Sequence, residues 1–226
     1  VRDISGLSEV PPRIDVPAAP TSRYVSGITL DGLKRNLRHP FVAISEGEIA
    51  RAREKGQAYH DFVAKQRQSA DRYVDEALDV PDEPSIYSTE FNCPQHGVPL
   101  RWRRSHPKEH LCSMGNHVVT GPVFDREWRI HKITGSHRAN RQRLHALGMA
   151  YSLTGDERYA RKSREILLAY TDAFPGYPWH TGRGDIRPAG DGMRVAYEAL
   201  GEAGWLAAVA RGYDLVASSA CFSTED

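Results

Sequence analysis

The chain has 226 residues, and its 30 basic and 29 acidic side chains leave a formal net charge of +1. So small an imbalance provides no global field to attract nucleic acid or an anionic membrane, although three arginines crowd residues 101 to 104. No apolar run approaches the roughly 18 residues of a membrane span, Val1-Arg2-Asp3 opens no signal-peptide core, and three cysteines are no disulfide framework.

Five prolines between Pro11 and Pro40, with little periodicity, predict an extended lead-in over residues 1–44 that holds at most a short helix near Leu30 to Leu37. Ser45 with Glu48 three residues on is a capping box. It predicts a polar helix running to about Leu78, stopped by Pro81 and Pro84. From Ile86 to Val123, short aromatic and valine-bearing segments alternate with Gly and Pro, which suits two or three small strands. Helices are expected to resume near Trp128, where Leu144, Leu147 and Tyr151 fall at helical spacing. Thr154-Gly155-Asp156-Glu157 reads as a second capping box, turning the chain into a helix from Asp156 to about Ala173 and so forming an αα-hairpin. Pro175 to Gly192 is rich in Gly, Pro, Trp, His and Arg and long enough to carry function. A third helix is expected from about Gly192 to Ser218. Ser223 to Asp226 has the composition of a further helix start, so the chain is expected to be part of a longer protein.

Two constellations carry chemistry. Cys93, His96, Cys112 and His117 follow a C-x2-H-x15-C-x4-H spacing. Two closely spaced pairs of such ligands pre-organise tetrahedral zinc, and four protein ligands leave no open position, so a metal here is expected to be structural. His110 is close enough in sequence to compete as a ligand, and two free buried cysteines beside surface histidines is the plainer alternative. The second constellation is the loop Trp179 to Arg187. A Trp can cover the apolar face of a sugar, while Arg183 and Arg187 offer paired donors to carboxylates or sulfates. His180 lies in the same loop, and its glycines let backbone approach a ligand closely. Arg194 is expected at the start of the third helix, where the helix dipole also favours an anion. His137 and Arg138, with His131, form a basic cluster beside the hairpin. Glu198, Glu202 and Trp205 share a helix face by spacing, and a solvated or salt-bridged stripe is the bland reading of the two carboxylates.

The order of these motifs resembles the start of the heparinase II/III-like polysaccharide lyases. The residues that carry the resemblance are Cys93-Pro94-Gln95-His96-Gly97, the Leu147-Gly148 to Ala160 hairpin, Arg194 with Leu200 to Trp205, and Gly212-Tyr213-Asp214-Leu215. Gly115 stands where that family often has a fourth cysteine. The resemblance implies a mainly α fold, a partial (α/α) toroid of helical hairpins over residues 45–226, with a small Cys/His β-knuckle inserted at about 86–123. It implies an acidic polysaccharide as partner, held by His137, Arg138, Trp179, His180, Arg183, Arg187, Arg194 and Glu202. The implied reaction is β-elimination at a uronic acid: a neutralising group stabilises the carboxylate, a base takes the C5 proton and an acid protonates the departing O4. The family's reacting groups match no position here, so the chain alone is expected to be inactive. Export or a periplasmic home is the family's usual setting. The Leu-Gly-x-x-Tyr hairpin also resembles one tetratricopeptide unit, which implies a protein-binding module. A toroid glycosidase using paired carboxylates is the third reading.

Overall fold

A computed structural model of the chain describes residues 39–222, except positions 41, 89, 90 and 104. Most of the lead-in, the short helix expected near Leu30 to Leu37 and the helix start expected at Ser223 lie outside the described residues. Within them the protein is mainly α with one small β insertion. The elements are α1 (Glu46–Arg53), α2 (Gln57–Val74), β1 (Arg101–Arg103), β2 (His106–Cys112), β3 (His117–Val119), α3 (Pro122–Thr154), α4 (Glu157–Ala173) and α5 (Ala199–Val216).

The helix boundaries show which local signals won. Ser45 caps α1, with Glu48 returning the bond to the Ser45 backbone. The single helix expected through Leu78 is instead two helices, divided where Gly56 takes φ 56°, a region most residues avoid. α3 begins six residues earlier than Trp128, at Pro122, because proline at the first helical position has no amide to leave unsatisfied. α3 ends on Gly155 in the left-handed conformation. Asp156, not Thr154, then caps α4 by accepting from the Arg158 amide. Thr154 donates back to the Ala150 carbonyl.

α3 is the spine: α2, α4 and α5 all pack on it. Its junction with α5 is reciprocal. A Cβ placed on Gly148 of α3 would sit 2.8 Å from Leu215 Cβ, and one on Gly212 of α5 would sit 2.9 Å from Leu144 Cβ. Each glycine receives the leucine of the other helix, so the backbones approach closely. Leu144, Leu147, Tyr159, Ile166, Tyr170, Tyr177 and Trp205 belong to the core around this junction.

An extended strap, residues 79–88, crosses these helices without regular structure of its own. Its backbone groups are met one by one. Asn140 donates to the Asp79 carbonyl at 2.7 Å, the Tyr177 hydroxyl to that of Pro81, and His137 Nε2 to that of Glu83 at 3.0 Å. Ser85 and Tyr87 amides donate to Val195 and Gly182 carbonyls. The His137 bond fixes a tautomer, since a carbonyl only accepts. With Nε2 protonated, Nδ1 accepts from the Tyr170 hydroxyl at 3.0 Å, and that oxygen accepts from Asn140 Nδ2 at 3.3 Å. Burial holds the imidazole at a pKa of about 4, against smaller opposing effects from Glu202 and Asp79.

Two predictions follow from this packing. Gly148→Ala should lower stability by about 1–3 kcal/mol through overpacking against Leu215. Gly135→Ala, in the same helix with nothing within 4 Å of the new methyl, should raise it by up to about 1 kcal/mol through helix propensity. Urea unfolding of both variants checks the pair, and equal effects would contradict the close junction. The second concerns pH. His137 stays neutral in the fold down to about 4, whereas the unfolded chain protonates it near 6.5. Its contribution is therefore complete above 6.5 and is lost as pH falls toward 4, by up to about 3 kcal/mol. Between pH 7 and 4 the stability of His137→Gln should fall less steeply than that of the wild type; identical slopes would contradict a buried neutral imidazole.

Candidate functional site

The four predicted metal ligands converge. Cys93 and His96 sit on a turn closed by the Gly97 amide donating to the Cys93 carbonyl at 2.8 Å, with Gly97 at φ 66°. Cys112 ends β2 and His117 opens β3, and the antiparallel register pairs the two directly. Residues directly opposite on one face lie within side-chain reach. The ligand atoms of all four lie within 4.8 Å of one another. Cys93 Sγ is 3.4 Å from His96 Nδ1 and 3.4 Å from His117 Nε2, and Cys112 Sγ is 3.5 Å from His96 Nδ1. A zinc tetrahedron with its usual bond lengths has S···N edges of about 3.6 Å, so the donor set fits that ion.

Gly115 leaves room for both imidazole rings. A Cβ at 115 would lie 2.4 Å from His117 Nδ1 and 2.5 Å from His96 Cε1. A cysteine at this position and the two rings in these places exclude each other. The Gly115 amide also points at Cys112 Sγ, 3.4 Å away, and holds that thiol below its ordinary pKa. His110 takes no part in the cluster. It is buried, with Nε2 donating to Asp125 at 2.9 Å, and so joins the β-knuckle to the first turns of α3. Trp102 stacks on Trp128 at 4.9 Å across the same junction.

The loop from Tyr177 to Glu198 is tightly bonded. His180 and Met193 exchange both backbone hydrogen bonds, and Arg187 donates to the Trp179 carbonyl. The candidate residues separate accordingly. Arg183 and Arg187 are exposed. Arg183 borders a hollow of about 420 Å³ with Tyr87, Tyr197 and Glu198, where the two tyrosine rings lie 5.5 Å apart. His137 and Arg138 border an adjoining hollow of about 150 Å³. His180 is 1% exposed, its Nδ1 donating to the Thr181 carbonyl at 2.7 Å. Trp179 carries the Arg194 guanidinium over its ring at 5.5 Å, and the same guanidinium lies 4.3 Å over Phe174.

Two expectations about this region need correction. The third helix begins at Ala199, not near Gly192, so Arg194 is not at a helix start. Its side chain instead donates to the Tyr177 and Pro175 carbonyls. The reason is Glu202, whose carboxylate accepts from the amides of Arg194, Val195 and Ala196 at 3.3, 2.9 and 2.7 Å. That cradle holds residues 194–196 out of the helix. Two of the loop glycines, Gly182 and Gly192, likewise make room for the protein's own backbone. A Cβ on Gly182 would meet the Tyr197 carbonyl oxygen at 2.4 Å, and one on Gly192 the His180 oxygen at 2.5 Å. Tyr87 and Tyr197, which share the hollow with Arg183, escaped the sequence reading: no local motif marks either, and they meet only because the strap crosses the loop.

No family model matches the chain. Among characterised proteins it is similar to an exo-oligoalginate lyase of Saccharophagus degradans, 32% identical over 80 residues, and to an alginate lyase of Stenotrophomonas maltophilia, 37% identical over 91 residues. The matches take in 35% and 40% of this chain but 10% and 11% of those proteins, so the chain spans about a tenth of the relatives it matches.

Proposed function

We propose that residues 45–226 form an early arc of an (α/α) toroid, with the knuckle at about 86–123 inserted in it, in a polysaccharide lyase of heparinase II/III-like type acting on a uronate-containing glycan such as alginate. The observation that carries this reading is the similarity to two alginate lyases. The hollow at Tyr87, Tyr197 and Arg183, which Asp185 and Glu198 also line, supports it, because it sets two aromatic rings beside a cation. Apolar sugar faces and a carboxylate call for that pair.

In such a reaction the C5–H bond breaks to a base, C4=C5 forms, and the C4–O4 bond breaks with protonation of O4. This chain's part is to hold the substrate: Arg183, Arg187 and Arg138 meet carboxylates, and Trp179 with Arg194 shapes the loop. His137, His180 and Glu202 support those surfaces from within, through the hydrogen bonds already described. The proton-transfer groups come from residues outside this chain.

The knuckle holds a structural zinc in this account. Cys93, His96, Cys112 and His117 complete a tetrahedron, and the ion ties the turn at Cys93 to the β2–β3 hairpin. The purified chain should carry one equivalent of zinc. Cys112→Ser and His117→Ala should lose it, while His110→Ala should keep it. A metal-free wild type whose melting temperature ignores added zinc would dismiss the ion.

For the glycan, titration calorimetry should show a short oligomannuronate binding at least about tenfold more tightly than a cello-oligosaccharide of equal length, the worth of one charge-assisted hydrogen bond of about 1.5 kcal/mol. No absorbance from unsaturated uronate should develop. Equal affinity for the neutral sugar would overturn the substrate class, and turnover by this chain alone would overturn the placement of the reacting groups.

A further inference from the structure

A groove of about 680 Å³ runs where α2, α3 and α5 meet, away from the Trp179 loop's own residues. Its wall carries Arg72 from α2, Arg138 and Arg141 from α3, and Arg211 from α5, and among the described residues no Asp or Glu lines it. Residues 138, 141 and 145 recur on one face of α3 by three- and four-residue steps. None of these four arginines forms a salt bridge among the described residues. Arg143, on the neighbouring face, shows the contrast: it is paired with Glu76 at 2.8 Å. Like charges gathered without counter-charge cost the fold stability, and a concave wall concentrates their field on whatever enters. His145, also in the wall, is held below its ordinary pKa by burial and then by Arg211. Arg72 is set in place by Ser69 and by the Tyr73 ring 4.6 Å beneath it. That covers one face of Tyr73, the one aromatic side chain besides the imidazole among the described residues of the wall.

The groove does not stand alone. Arg138 and Arg141 line both it and the hollow beside His137. Tyr197 and Glu198 line both that hollow and the one at Arg183. A small anion needs one such place. Arg138 and Arg141 at one end and Arg183 at the other, with Glu198 between them and Asp185 beside Arg183, place cations well apart along connected hollows, a spacing that matches a linear polymer with a carboxylate on each sugar.

We propose that the groove lined by Arg72, Arg138, Arg141 and Arg211 is a second binding subsite, taking consecutive carboxylates of a linear polyuronate that reaches through the adjoining hollows to Arg183. The proposal rests on the acidic-glycan reading above and adds to it the residues and the path. Gln66, Gln142 and Ser69 in the same wall supply donors and acceptors for sugar hydroxyls.

The test is calorimetric titration of the chain with a long oligomannuronate, comparing wild type, Arg141→Gln/Arg211→Gln and Arg183→Gln. The double variant should bind at least about tenfold more weakly, with a melting temperature equal to or above that of the wild type because repulsion is relieved. Wild-type binding that Arg183→Gln weakens and the double variant leaves intact would overturn the groove and keep the lyase reading. A wild type that binds no polyuronate would end both. Equally tight, equally groove-dependent binding of single-stranded DNA would overturn the assignment of the groove to uronates.

Discussion

The rest of the structure hangs on a short buried chain of hydrogen bonds, from Asn140 to the Tyr170 hydroxyl, to His137 Nδ1, and from His137 Nε2 to the Glu83 carbonyl. Each group has the role its neighbour requires, and the imidazole must be neutral for the sequence of donors to close. The chain fastens the strap to α3 and α4 at a place where the strap has no secondary structure to support itself. From there the strap delivers Tyr87 to the loop's hollow and leads into the Cys/His knuckle. Breaking one link would leave buried donors or acceptors unsatisfied, which costs more than the bond itself contributes.

α3 connects these features because its faces do different things. One face carries His137, Asn140, Leu144 and Leu147 inward. Turning by one residue brings Arg138, Arg141 and His145 to the groove. At the far end, Gly148 admits Leu215 and lets α5 come close enough for Arg211 to complete that wall. At the near end, Asp125 receives His110 and Trp128 receives Trp102, so the knuckle is docked by one ion-assisted bond and one aromatic stack. The Cys/His cluster, core and basic wall are thus indexed to a single helix.

What was legible in the sequence was local. The Ser45 capping box and the short turn at Gly155 depend on residues a few positions apart, and the structure has them; the Cys93/His96 and Cys112/His117 pairs are each local too, and the fold brings the two pairs within 4.8 Å. What was not legible depended on partners far along the chain. The delayed start of α5 needs Glu202 to reach back for three amides, and the split after α1 turns on one glycine in a polar stretch. His137 and Arg138 read as a single basic cluster because they are adjacent. Helical spacing separates them: His137 keeps step with Asn140, Leu144 and Leu147, Arg138 with Arg141 and His145. That signal was present in the sequence, and adjacency masked it. The basic wall needed three helices brought together, and no window of sequence contains it.

The buried polar chain, rather than strap composition, fixes residues 79–88 against the helices. Amide hydrogen exchange of wild type and Tyr170→Phe tests it most directly. The amides of Ser85 and Tyr87 should be protected in the wild type and exchange faster in the variant, while the α3–α4 hairpin stays protected. Unchanged protection of the strap in Tyr170→Phe, or a strap already unprotected in the wild type, would contradict it.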